Sequence, residues 1–134
     1  MSIVVGFLPT PEGSAALAAA RREAAVLSTS LVIVNVASTH HGLHHQEQEE
    51  ANNAALQALE MELQASGTDY RLVHPEGDYD PAEEILAASQ DPRVQLIVLG
   101  LRRRTPVGKM LLGSTAQRVL LQADCPVLAV KANS

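Results

Sequence analysis

One stretch of the chain combines residue types suited to holding an anion. It runs from Gly100 through Arg102, Arg103 and Arg104, Gly108 and Lys109, to Gly113, Ser114 and Thr115. It leaves the apolar run Leu96–Leu99 and ends where helix-forming residues begin. Gly100 lacks a Cβ and so lets a ligand approach the backbone closely. A helix opening at Ser114 offers free N–H groups and the positive end of its dipole, which together favour phosphate. The Ser114 hydroxyl reads as a helix cap or a phosphate donor, and the arginines and Lys109 supply charge. The triple arginine has two readings, a phosphate contact or a solvated surface run, and both stay open. The better-known phosphate loops do not fit. Gly108-Lys109 is followed by Met110, and Arg103 stands where a Walker loop needs its first glycine. No G-x-G-x-x-G follows the first apolar run, which disfavours a dinucleotide site.

Other reactive residue types are less well placed. His40, His41, His44 and His45 include two pairs at i,i+4 spacing, which on a helix would set two imidazoles on one face for zinc or nickel. Gly42 lies between them, and no cysteine or positioned carboxylate completes a tetrahedral set, so a solvated loop is the plainer reading. No resident metal is expected. Cys125, the single cysteine, sits beside Pro126 and reads as a small hydrophobe rather than a reactive thiol. Ser, His and Asp all occur, but no G-x-S-x-G elbow positions a nucleophile. No catalytic residue is assigned; an enzyme reading would reduce to a slow ATPase without an identifiable base.

The elements that must position the anion stretch follow from composition and pattern. The chain has 134 residues, the size of one domain spanning 1–134. It is 46% apolar and only 2% aromatic, with a net charge of −5. An acidic chain with few rings suits neither phosphate backbones nor base stacking, so no nucleic acid is expected. A lone cysteine excludes an internal disulfide. The segment Met1–Gly6 lacks the basic region of a secretion signal, and Ala15–Ala37 is interrupted by charge, so a cytoplasmic protein without membrane contact is expected.

Strands are predicted at Ile3–Leu8, Leu31–Ala37, Leu96–Gly100 and Pro126–Val130, with Tyr70–His74 as a more mixed edge strand. Helices are predicted over Ala15–Leu27 and Glu47–Gln64, the latter with Ala51, Ala55, Leu59 and Leu63 on its apolar face. Asp80-Pro81-Ala82-Glu83 has the form of a capping box with proline at the first helical position, and Ser114-Thr115-Ala116-Gln117 repeats that logic. Alternating strands and helices imply a parallel sheet covered on both faces. Its ligands are expected beyond the carboxyl ends of the strands, in the loops after Leu8, Ala37 and Leu99.

With these residues in place, the chain resembles the universal stress protein family along its whole length. The likeness rests on the apolar first strand, Gly77-Asp78 followed by Pro81-Ala82-Glu83-Glu84-Ile85, Leu96–Gly100, and Gly113-Ser114-Thr115-Ala116-Gln117-Arg118-Val119-Leu120 closed by Cys125–Val130. The resemblance implies a three-layer α/β sandwich of the adenine-nucleotide alpha-hydrolase-like type, with a five-stranded parallel sheet in the order 3-2-1-4-5. It also implies a homodimer formed through the last strand, Pro126–Val130, and a stress-response or signalling role with protein partners rather than a defined reaction.

Some members bind ATP through G-x2-G-x9-G-[S/T]. Gly100, Gly113 and Ser114 match that spacing, whereas Arg103 stands at the second glycine. Leu8 stands where ATP-binding members carry an Asp against the nucleoside. Val36 matches a position whose backbone lies against adenine, and Thr115 one near the phosphates. The implied nucleotide site is therefore Val36, Leu99, Gly100, Arg102, Arg103, Gly113, Ser114 and Thr115, for ATP or another adenine nucleotide with any accompanying magnesium. A polar nucleoside edge left unpaired at Leu8 costs about 1–3 kcal/mol. Arg103 either strains the loop, if φ there is positive, or offers a bidentate phosphate contact. The alternative is a member that holds no nucleotide and acts through protein–protein contact.

Overall fold

The computed structural model describes residues 1–36, 45–101 and 112–132 of the chain. Nine elements alternate: β1 (Ser2–Phe7), α1 (Pro11–Leu27), β2 (Ser30–Asn35), α2 (His45–Ala65), β3 (Tyr70–Val73), α3 (Pro81–Ala88), β4 (Val94–Leu101), α4 (Ser114–Gln122) and β5 (Val127–Lys131). The strands form one parallel sheet in the order β3-β2-β1-β4-β5, as the alternation and the family resemblance predict.

Side chains alternate across each strand, so the apolar runs feed two separate layers. On one face Ile3, Val5, Leu31, Ile33 and Val98 pack with Ala16, Leu17 and Ala20 of α1 and with Leu56, Leu59 and Leu63 of α2. On the other, Val4, Val32, Val34, Ile97 and Leu99 pack with Ala82 and Ile85 of α3 and with Ala116 and Val119 of α4. With aromatics nearly absent, the core is made of aliphatic side chains and of alanines that let α1 lie close to the sheet. No helix among the described residues is long and apolar enough to cross a membrane.

Some local expectations shift. Helix α1 begins at Pro11, four residues before the predicted Ala15, because the Thr10 hydroxyl accepts from the Gly13 N–H at 3.1 Å and caps it. On α2 the buried stripe is Asn52, Leu56, Leu59 and Leu63; Ala51 is exposed and Ala55 half-buried. The larger Leu56 wins the core position over the alanines, since it removes more apolar surface from water. The last strand opens at Val127, after Pro126, whose carbonyl still accepts from the Ile97 N–H at 3.0 Å.

Candidate functional site

The carboxyl ends of β1, β2 and β4 converge with the starts of α1, α3 and α4, and most of the described candidate residues lie there. Val36 follows β2 and donates its N–H to the Phe7 carbonyl at 3.0 Å, which ties the ends of β2 and β1 together. Val36 and Leu99 are both buried, in the same apolar layer as Ala116 and Val119 of α4. Leu8 is half-buried against that layer. The end of the sheet thus presents an aliphatic floor, and its β1 position offers no hydrogen-bond acceptor from a side chain.

The two matched glycines play different parts. A Cβ added at Gly100 would lie 2.1 Å from the Glu12 carbonyl oxygen and 2.6 Å from its carbon. The missing side chain is therefore demanded by the first turn of α1, which fills the space where close approach of a ligand was expected. At Gly113 a Cβ would meet nothing within 4 Å among the described residues. Its φ of −67° and ψ of 163° are open to any residue. Among the described residues, packing does not require a glycine there.

Gly113, and not Ser114, is the N-cap of α4, and it forms no side-chain cap bond. The first helical bond runs from the Gln117 N–H to the Gly113 carbonyl at 3.0 Å. The N–H groups of Ser114, Thr115 and Ala116 consequently have no acceptor within the helix. Helices α1 and α3 differ: Thr10 caps the first, and Asp80 Oδ1 caps the second by accepting from the Ala82 N–H at 2.9 Å. Ser114 is exposed and Thr115 half-buried, so an anion can reach this end.

Arg118 is a residue that pattern reading passed over. From the second turn of α4 its Nη1 donates to Asp80 Oδ2, and its Nη2 donates to Glu83 Oε1 at 3.1 Å. Glu83 therefore serves this ion pair instead of closing a capping box. The hydrogen bond to Glu83, with the Asp80 charge beside it, pushes the Arg118 guanidinium above its ordinary value. The only sequence hint is its spacing four residues from Ser114; its partners lie 35 and 38 residues away. Asn35, fully buried at the end of β2, was also not anticipated.

Arg102, Arg103, Arg104 and Lys109 lie outside the described residues, as do His40, His41 and His44 and the side chain of His45. Among the described residues no group of three His, Cys, Asp or Glu could hold a metal ion. Cys125 is half-buried, and burial followed by the Asp124 charge pushes its thiol up, away from the reactive thiolate.

Comparison with known proteins places this geometry. The universal stress protein family model matches residues 1–131. A curated universal stress protein of Mycolicibacterium smegmatis is 47% identical over 81 residues, covering 60% of this chain and 62% of the relative. The aligned segments span less than two thirds of the curated relatives they match. Among solved structures, a universal stress protein from Archaeoglobus fulgidus superposes with a TM-score of 0.73 at 22% identity, over 98% of both chains. Another from the same organism, in complex with dAMP, gives 0.65 at 16% identity over 98% of both. At such identities the likeness to these structures is one of fold.

Proposed function

The chain belongs to the universal stress protein family, and we propose that it is a homodimeric stress-response or signalling protein that holds an adenine nucleotide at the start of α4. The observation that carries this reading is the open N-cap at Gly113, with three N–H groups unused by the helix, in a helix whose Ala116 packs in the same apolar layer as Val36 and Leu99. The N–H groups of Ser114 and Thr115 and the Ser114 hydroxyl would take phosphate oxygens. Val36 and Leu99 would lie under the base, which rests on aliphatic side chains because the site has no ring to stack on. Arg102 and Arg103 would add charge, and ATP would bring its own magnesium. A fold relative holds dAMP, which favours a nucleotide over a bare anion. Val127–Lys131 occupies one edge of the sheet, with Leu128 and Ala129 exposed, and supplies the surface for a second copy.

One observation favours the other reading, a member acting through protein partners alone. Leu8 is apolar and half-buried where ATP-binding members carry an Asp, so a nucleoside edge would lose a hydrogen bond there. Two measurements separate the readings. The purified protein is denatured and its released small molecules identified by mass spectrometry; ATP, ADP and AMP are then titrated by calorimetry. Copurified nucleotide or saturable heat is expected, and neither at millimolar ligand would overturn nucleotide binding. Sedimentation at micromolar concentration should show a dimer, and monomer alone would overturn that assignment.

A further inference from the structure

We infer that Arg118 is a positioning residue that sets the anion affinity of the α4 start, by offsetting part of the negative charge of Asp80 and Glu83 beside it. This rests on the reading of the α4 start as the phosphate-binding end.

Helices α3 and α4 lie in one layer, joined through Ala82, Ile85, Ala116 and Val119. The first turn of α3 is acidic, with Glu83 and Glu84 following the Asp80 cap. Those carboxylates suit the positive end of their own helix dipole but would repel an anion arriving at α4. Arg118 is placed to reduce that conflict. Its guanidinium fork takes one oxygen from Asp80 and one from Glu83, while the other Asp80 oxygen stays on the Ala82 N–H. It sits four residues beyond Ser114, about 6 Å along the helix axis. The same fork joins the α3 cap to the second turn of α4, so charge and position are set by one side chain.

The test uses inorganic pyrophosphate as the probe, so that it does not depend on nucleotide recognition. Binding is followed on the full chain through the amide NMR signals of Ser114, Thr115 and Ala116. Arg118→Ala should weaken pyrophosphate about fivefold at 20 mM salt, and the deficit should shrink at 500 mM. Arg118→Ala combined with Glu83→Gln should recover about half of that loss. Glu83→Gln alone, which leaves Arg118 and the Asp80 cap in place, should bind pyrophosphate about twofold more tightly and serves if Arg118→Ala does not fold. A purely structural role would lower the melting temperature without this dependence on salt and on Glu83. Unchanged affinity in Arg118→Ala, or no response to Glu83→Gln, would overturn the role of Arg118 while leaving the anion site standing. No amide response in the unaltered protein would overturn the anion site itself, and this inference with it.

Discussion

Gly100 and Gly113 bracket one loop and match one spacing pattern, yet the fold treats them oppositely. At Gly100 the end of β4 presses against the first turn of α1, and a single added carbon would collide with the Glu12 backbone. At Gly113 a Cβ would meet none of the described residues, and the backbone would accept any residue. A glycine demanded by packing says little about a ligand. One that packing among the described residues does not demand, at the cap of a helix, is the one on which the proposed anion site rests. The pattern alone cannot make this distinction, because both residues look the same in it.

The largest effect expected from this contrast is at Gly100. Gly100→Ala should destabilise the fold by about 3 kcal/mol, at the upper end for overpacking, because backbone rather than a flexible side chain is struck. Denaturant unfolding checks it, and a loss below about 1 kcal/mol would show that the Glu12 contact yields easily. Gly113→Asp should do the reverse. A carboxylate at this N-cap would stabilise α4 by about 0.5–1 kcal/mol, through the cap bond and the helix dipole. The same carboxylate would occupy the N–H groups, so phosphate or nucleotide affinity should fall at least about tenfold by calorimetry. Unchanged affinity would move the site away from α4.

An effect of comparable size is expected at Asp80, where α3 already has the cap that α4 lacks. Asp80→Ala should cost about 1–2 kcal/mol in unfolding experiments, and Asp80→Asn, which keeps a capping oxygen, distinctly less. Equal losses would place the contribution in the ion pair with Arg118 instead of the cap.

The smallest effect is sought at the other end of the sheet, which serves as a control for charge pairing away from the site. There the hydrogen bonds from the Arg93 side chain and backbone hold the Asp91 carboxyl at about 2, below its ordinary 3.8. A carboxyl lowered in the folded state adds stability above the unfolded pKa, and that stability is lost as pH falls through about 2. A carbon-detected NMR titration should give that midpoint, and Arg93→Gln should move it back towards 3.8. Arg93 is exposed and Asp91 half-buried at the surface, so unfolding at neutral pH should barely change.

Much of this was legible in order along the chain. Near-continuous apolar runs announced strands covered on both faces, and Asp80-Pro81 announced the start of α3, because these signals are complete within a few residues. Ser114 misled as a cap, since a serine at a helix start suits the cap and the first helical position alike, and only backbone geometry separates them. Ala51 misled on α2, because alanine fits either face of a helix and burial was decided by where Leu56 had to go.

What the sequence determined by itself is therefore the alternation of elements, the parallel sheet and the family, all consequences of local periodicity and spacing. The tertiary structure decided which glycine serves packing and which meets none of the described residues, and it brought Arg118 to Asp80 and Glu83. Those contacts join residues far apart in the chain. Their energies depend on how helices settle on the sheet, and no local pattern encodes the position at which two helices come to rest.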